Sequence, residues 1–333
     1  MPKVTLVQTV FNGMKYIPQS FASMVAQTHP DVEIIAVING DEDNGKEYIQ
    51  KHFPQVKLIE PGENLRFVRG HNLVFSLDSD TEFYQLVNQD LILEPTHVEE
   101  MLKAFTDPQV GAANGKIYQY DFAANKKIDK FDTTGVVISK TGRAKARGQH
   151  EVDTGQYDDK LDLIAVDGAA CMYRRSALES VKYLRPDGKT EYFDLDFEMY
   201  WEDVDLSWRM VNAGWKCKYV PNAVGYHGRT AAASPGGYKK VWAFIKFHRQ
   251  IPQWIREFNY KNHIFMFIKN SPRWYWQFFA REFFLNCFTI FWETKTYKIL
   301  PLMFKQFRSI WRKRKHIQKT RKISVEDMEK LFS

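Results

Sequence analysis

Val4-Thr5-Leu6-Val7-Gln8-Thr9-Val10 and Val32-Glu33-Ile34-Ile35-Ala36-Val37-Ile38 decide the fold. Each is a largely apolar run of strand length, the pattern of a strand buried on both faces. Between them, Ile17, Phe21 and Val25 recur at helical spacing within Tyr16 to Ala26. A helical stretch over 46–52 and a short strand over 56–59 follow. Strand, helix, strand, helix predicts parallel pairing in an α/β sheet. Such sheets bind ligands beyond the carboxyl ends of their strands. Those ends are Thr9 to Asn12 and the polar turn Asn39 to Asp43. No GxGxxG follows the first strand and no Walker sequence occurs anywhere, which argues against dinucleotide and P-loop enzymes.

Further along, Asn64 to Asn72 leads into a helix predicted over 73–77, and Glu82 to Val87 reads as a strand. Asn88-Gln89-Asp90 stands at its end. A carboxylate there can hold a hard cation through oxygen, with phosphate oxygens as further ligands. The same three residues also suit a capped turn before the helix at Thr96. Another strand is predicted over 110–117. Residues 122–162 are polar and irregular, a long loop or small hairpin insert containing Asp132-Thr133-Thr134-Gly135 and Arg147-Gly148-Gln149. A strand is predicted over 164–173, in which the small Gly168 and Ala169 would let a ligand or backbone come close. A helix to Val181 follows.

Tyr200-Trp201-Glu202-Asp203-Val204-Asp205-Leu206-Ser207-Trp208-Arg209 places three carboxylates within four residues. Read as helix, Val204, Trp208 and Val211 form a stripe that can be buried. Asp203 sits at the edge of that stripe, where a partly dry cleft can tune a general base. The plainer alternative is a surface helix start with acids favoured by the helix dipole. Gly214 ends the helix, and Pro221 is expected to close the strand over 216–220 before His227.

The net charge of +7 is uneven. From Lys239 onward there are 21 Lys and Arg against 6 Asp and Glu, so the tail carries +15 and the body −8. The tail also holds 23 of the 50 aromatic residues. Two parts with different partners are expected, residues 1–235 and 236–333. Helices are predicted over 251–268 and 274–292, and Arg312-Lys313-Arg314-Lys315 adds a basic cluster. Aromatic faces with basic edges suit the surface of an anionic membrane, and packing on the catalytic domain is the alternative. No nucleic-acid-binding motif accompanies the charge, and nucleic acid is not expected as a partner. Cys171, Cys217 and Cys287 are widely spaced and odd in number, which suits unpaired thiols in a reducing compartment. The N-terminus lacks the apolar core of a signal peptide, and no run is long and apolar enough to span a bilayer.

In this order, over about residues 3 to 270, the segments resemble glycosyltransferase family 2 and its bacterial rhamnosyltransferase-like members. The matching pieces are Thr9-Val10-Phe11-Asn12, Val37-Ile38-Asn39-Gly40 with Asp43, Asn64-Leu65-Arg66-Phe67 with Asn72, and Asn88-Gln89-Asp90. They continue with Asp132 to Gly135, Arg147 to Gln149, Gly168 to Ala170 and Tyr173 to Arg175. The most specific is Glu202 to Arg209 with Gly214-Trp215, Val220 to Ala223 and His227. The resemblance implies a GT-A fold, a Rossmann-like mixed sheet with helices on both faces, here with a C-terminal amphipathic helical extension. It implies inverting, metal-dependent transfer from a nucleoside-diphosphate sugar; together with the basic, aromatic tail it points to a lipid-linked or oligosaccharide acceptor at the cytoplasmic face of the membrane. Asp203, with Glu202, takes the place of the general base. Asp90 and His227 take the place of the metal contacts, for magnesium or manganese. Thr9, Asn12, Asn39, Asp43, Asn64, Asn72, Asn88 and Gly168 fall on the nucleotide-sugar side. Arg147, Trp201 and Trp208 fall on the acceptor side. Two positions depart from the family: Ile38 stands where an acid usually contacts the base, and Arg66 replaces a usual glycine. These departures keep open a nucleotide-sugar-binding scaffold without turnover. A nucleotidyltransferase is the alternative among enzymes.

Overall fold

The computed structural model describes residues 1–77, 79–185, 187–228 and 251–333. The expected boundary at 235/236, and Tyr238 and Trp242 of the tail, lie outside the described residues. The chain opens with β1 (Val4–Phe11), α1 (Ile17–Val25), β2 (Val32–Gly40), α2 (Gly45–His52), β3 (Lys57–Ile59) and α3 (Arg66–Phe75). Then come β4 (Phe83–Leu86), β5 (Leu91–Leu93), α4 (His97–Ala104), β6 (Val110–Asp121), β7 (Lys126–Thr133), β8 (Val136–Ile138), β9 (Ala144–Ala146), β10 (Asp162–Leu163) and β11 (Cys171–Arg174). The second half continues with α5 (Arg175–Val181), β12 (Tyr183–Leu184), β13 (Thr190–Glu191), α6 (Glu202–Asn212) and β14 (Lys216–His227). The C-terminal helices are α7 (Gln253–Asn270), α8 (Trp276–Trp292), α9 (Leu300–Thr320) and α10 (Val325–Lys330), with a short 3-10 turn before α9.

Among the described residues a ten-stranded mixed sheet runs β10-β14-β6-β11-β4-β1-β2-β3, with β5 paired to β14 and β7 to β6. β1 pairs parallel with β2 and β4, as the alternation of elements requires. Val4, Leu6 and Val10 pack on one face with Ile17, Phe21 and Met24 of α1. Val7 packs on the other face with Val68, Val74 and Phe75 of α3. Both faces of β1 are therefore covered, which is why its sequence runs apolar without strict alternation. Each fully buried apolar side chain of this kind contributes about 1.5–3 kcal/mol.

Three local expectations change. The helix predicted over 73–77 begins earlier, at Arg66, which takes a left-handed φ of 54° at the helix start. That backbone favours glycine. Residues 164–170 form a loop rather than a strand, and only Cys171–Arg174 pairs in the sheet. Pro221 does not close its strand: β14 continues to His227 past an irregularity between Val220 and Val224, where a residue without an N–H is tolerated.

The C-terminal helices are not a loose appendage. Phe265, Met266 and Phe267 of α7 are buried in the same cluster as Val204, Trp208 and Val211 of α6. Lys269, fully buried, bridges Asp194 and Asp205, while Lys313 of α9 reaches Glu191, Asp194 and Asp196. Packing on the catalytic domain, one of the two readings of the tail, holds for this inner layer.

Candidate active site

A cavity of about 700 Å³ lies beyond the carboxyl ends of β1, β2 and β4. Its walls include Thr9, Asn39, Asn64, Asn88, Asp90 and His227, all expected site residues. Sheet register brings together the two residues expected to contact a metal. His227, the last residue of β14, lies opposite Leu91 of β5, one residue after Asp90. Its Nε2 is 3.1 Å from Asp90 Oδ1, and its Nδ1 is 2.8 Å from Asp132 Oδ2. Burial disfavours the imidazolium, but the two carboxylates outweigh it and pull His227 up to about 10. Burial likewise opposes ionisation of Asp90, and the bond to His227 more than reverses that, lowering its pKa.

A carboxylate oxygen and an imidazole nitrogen converging on one cavity wall suit a divalent cation that displaces the imidazolium proton and takes its other ligands from phosphate and water. Among the described residues no group of three or more His, Cys, Asp or Glu side chains is arranged to hold an ion without such help. Asp132 opens the Asp132-Thr133-Thr134-Gly135 stretch of the resemblance, which carries no site role in the sequence. It stands 95 residues from His227, and only the pairing of β6 with β7 and β14 brings it near.

Asp203 sits in the first turn of α6, half-buried. Its Oδ2 accepts the Gly168 N–H at 2.7 Å and its Oδ1 accepts the Val204 N–H at 2.7 Å. Burial and then the charge of Asp167 lift its pKa to about 6, against the pull of the amides. A Cβ at Gly168 would stand 3.1 Å from that of Asp203, so the small residue serves the approach of this side chain. Asp203 is not itself a lining residue of the cavity, but Asp167 and Ala169, on either side of Gly168, are. The Asn88 N–H donates to the Ala169 carbonyl at 3.0 Å, which ties the loop holding Asp203 to the loop holding Asp90. Glu202 is buried behind Asp203, and burial together with the Asp203 charge raises its pKa well above the carboxylate range. It does not line the cavity.

The backbone entering α6 is strained. Glu198, Tyr200 and Trp201 have φ of 61°, 66° and 73°, positions that cost non-glycine residues about 1–3 kcal/mol each. Asn262 of α7 holds this segment by donating to the carbonyls of Phe197, Met199 and Tyr200. Tyr200 and Trp254, rings stacked 6.2 Å apart, both line the cavity.

Several expected contacts do other work. Asn39 accepts from Leu65 N–H and donates to the Arg66 carbonyl, so its amide positions the loop before α3. Asn64 accepts the Arg66 N–H. Asp43 accepts from Met14 and Gly45 amides, Asn12 pairs with Glu42, and buried Asn72 clamps Phe193; none of the three lines the cavity. Trp208 is corrected from acceptor contact to core: it is wholly buried, with its Nε1–H toward the Met328 sulfur. Arg147 is corrected likewise. It is buried and donates inward to Thr134 and to the Lys160 carbonyl, closing the insert. Trp201 donates to Asn259 of α7 and does not line the cavity. Phe11, half exposed at the cavity, and Arg66, paired with Glu198 at 3.3 Å, are lining residues that spacing alone did not assign.

The sequence profile of Glycosyl transferase family 2 matches residues 5–182, more than half of the chain. The chain belongs to that family and is a glycosyltransferase. An N-acetylglucosaminyl-diphospho-decaprenol L-rhamnosyltransferase of Mycobacterium tuberculosis is 22% identical over 242 residues, covering 67% of this chain and 75% of that one. An uncharacterized glycosyltransferase of Haemophilus influenzae is 27% identical over 104 residues, 30% of this chain and 32% of that one. Among solved structures, GalNAc-T7 with UDP, GalNAc and Mn2+ superposes with a TM-score of 0.52 at 12% identity. That match covers 78% of this chain, which spans about half (50%) of the GalNAc-T7 chain. The mannosyltransferase PcManGT of Pyrobaculum calidifontis, in complex with GDP-Man and Mn2+, superposes with a TM-score of 0.50 at 14% identity, over 95% and 85% of the two chains. The fold is GT-A, a mixed α/β sheet flanked by helices with a helical C-terminal region.

Proposed function

We propose that the protein transfers a sugar, with inversion, from a nucleoside-diphosphate sugar to a hydroxyl of a lipid-linked glycan acceptor in cell-surface polysaccharide synthesis. The observation that carries this reading is the pairing of Asp90 with His227 on the cavity wall, beside the loop that holds Asp203. A magnesium or manganese ion held by Asp90 and His227 would offset the charge on the leaving diphosphate. Asp203, with a pKa near 6, is ionised at neutral pH yet basic enough to take the acceptor hydroxyl proton during attack. That oxygen bonds to the anomeric carbon as the bond to the diphosphate breaks, and the diphosphate departs with the electron pair. The rhamnosyltransferase relative and its diphospho-decaprenol acceptor make rhamnose the first donor sugar to test and a polyprenyl diphosphate glycan the first acceptor. A second reading gives the base role to Asp167, favoured by its own place in the cavity wall.

The membrane supplies such an acceptor, and the outer face of α8 supports a peripheral seat at its cytoplasmic surface. Trp276, Phe283 and Phe291 are 73%, 65% and 75% exposed, and Phe304 of α9 is 78% exposed. At about 100° per residue, Trp276, Phe279, Phe283, Phe284, Ile290 and Phe291 share one face of α8. Among the described residues no helix is long and apolar enough to cross a membrane. An exposed apolar face of this kind suits the interface instead, and the lysines and arginines of α9 add basic charge beside it.

The test is a panel of nucleotide sugars with a polyprenyl diphosphate glycan acceptor, with and without manganese, scored by nucleoside-diphosphate release and product mass. Metal-dependent release with one donor is expected, with the sugar alone joined to product. Silence with every donor would favour the scaffold, and nucleotide found in the product would favour a nucleotidyltransferase.

A further inference from the structure

We propose that Tyr200 and Trp254 form an aromatic platform for the apolar C–H face of the acceptor's reacting sugar ring, and that α7 builds it. This deepens the sugar-transfer reading above and rests on it. Both rings line the catalytic cavity. Their planes are inclined by 24° and their centroids are 6.2 Å apart. With stacked carbons about 3.5–4.0 Å apart, that separation displaces the rings sideways by roughly 5 Å. They overlap only near their edges, as a step, so ring face stays open on either side of it. Trp254 is 44% exposed, a large apolar side chain left partly uncovered on the wall of the site.

The backbone leaves its preferred conformation to place Tyr200. Its φ is 66°, and Glu198 and Trp201 beside it take 61° and 73°. Such residues persist only where the surroundings fix them, and they cluster at ligand sites. Here α7 does the fixing. Asn262 donates to the carbonyls of Phe197, Met199 and Tyr200, and Asn259 accepts the Trp201 indole N–H at 2.8 Å. The same helix carries Trp254 in its first turn, braced by Phe258 with ring centroids 6.4 Å apart. One helix thus supplies one ring and fixes the other, which sets the platform before any ligand arrives.

Three features select the occupant. First, a pyranose has an apolar C–H face and a rim of hydroxyls. The electron-rich faces of the rings attract the C–H groups. Among the described residues the Tyr200 hydroxyl and the Trp254 indole N–H meet no hydrogen-bond partner, so both remain for sugar hydroxyls. Second, this wall is neutral. Met199, Tyr200 and Trp254 carry no charge, and Arg66 and Glu198 beside them are paired at 3.3 Å. A neutral ring suits such a wall and a phosphate does not. Third, position separates acceptor from nucleobase. The strand order β11-β4-β1-β2 sets the lining residues side by side: Asp167 and Ala169 before β11, Asp90 after β4, Phe11 in β1 and Asn39 in β2. A donor whose diphosphate meets Asp90 and whose nucleobase lies toward Phe11 and Asn39 has its sugar toward Asp167. Tyr200 precedes Asp203 by three residues, at most about 11 Å along the chain, which keeps the platform with the general base on the acceptor's side.

The experiment uses the full chain and compares wild type with Trp254→Leu and Trp254→Tyr, after circular dichroism shows equal folding. Transfer is assayed with the donor found in the panel above and a polyprenyl diphosphate glycan. The acceptor KM should rise at least tenfold in Trp254→Leu and return to within threefold of wild type in Trp254→Tyr, which restores a ring and a polar edge. The Kd for the donor's nucleoside diphosphate with manganese, read by calorimetry, should stay within twofold in all three proteins. An unchanged KM in Trp254→Leu, or a Trp254→Tyr no better than Trp254→Leu, would overturn the platform and leave the transfer reading standing. Nucleoside-diphosphate affinity falling in step with the acceptor KM would put the nucleobase on the rings and overturn it as well. So would loss of binding to phosphatidylglycerol vesicles in Trp254→Leu, because the indole would then be a bilayer contact. If wild type transfers sugar to this acceptor from no donor of the panel, the transfer reading itself fails and takes the platform with it.

Discussion

Asp203 and Asp205 stand two residues apart on one helix and live in opposite electrostatic worlds. Asp205 is buried among cations and donors: Arg209 at 3.1 Å, Lys269 at 2.9 Å and the Asn270 amide at 2.7 Å. Its neighbour in that network, Asp194, is held well below the ordinary carboxylate range, where Lys269 and Lys313 outweigh the cost of burial. Asp203 accepts from backbone amides, those of Gly168 and Val204 among them, and among the described residues has no cation against it; burial and then the charge of Asp167 take its pKa up instead. A buried acid that is fully neutralised holds structure together. A half-buried acid left beside a like charge is poised to exchange a proton. The second arrangement lies against the loop whose Asp167 and Ala169 line the cavity, and the first bolts the C-terminal helices to the sheet-bearing half.

That contrast can be broken by exchanging roles. Asp203→Asn should lower kcat by about 10²–10⁴-fold, the scale of one general base, with nucleotide affinity and thermal stability little changed. Activity falling in step with unfolding would erase the distinction. Lys269→Met leaves Asp194 and Asp205 short of a buried cation and should cost about 3–5 kcal/mol in denaturant unfolding. A loss below 1 kcal/mol would mean that the network is not what holds α7. The smallest effect is expected at Arg66. Glycine there relieves a left-handed φ and should raise stability by about 0.5–1 kcal/mol. It also removes a cation from the cavity wall and should weaken donor binding by less than about 1 kcal/mol, the scale of an exposed charge contact. Lowered stability in Arg66→Gly would show that the guanidinium pairing with Glu198 outweighs the strain.

The two regions were unequally legible in the sequence. The strands from Val4 and Val32 were readable because burial on both faces leaves a continuous apolar signature. The convergence of Asp90 and His227 was expected from the resemblance, and sheet pairing brings them into contact. The duties of single polar residues were not readable. Asn39 and Asp43 stand at a strand end and before a helix, and Asn72 lies inside α3; at each, an amide or carboxylate holds backbone as readily as it holds a ligand. Trp208 and Arg147 lie in motif-like stretches, yet both point inward, and burial of that kind is decided by elements distant in the chain. The role of Asp132, quoted only as part of a motif, and the place of Trp254 are unreadable for the same reason: their partners are 95 and 54 residues away. The buried lysines of the tail looked like part of a basic surface, because charge counts do not reveal which cations meet carboxylates inside.

The most direct test is the pH dependence of transfer by wild type and Asp167→Asn at saturating donor and metal. A base must be ionised to act, so wild-type activity should rise through an apparent pKa near 6 and then level off. Removing the Asp167 charge should lower the pKa of Asp203, so Asp167→Asn should stay active with its acid limb moved to lower pH. An inactive Asp167→Asn beside an active Asp203→Asn, or a rate that does not change through pH 6, would contradict the assignment.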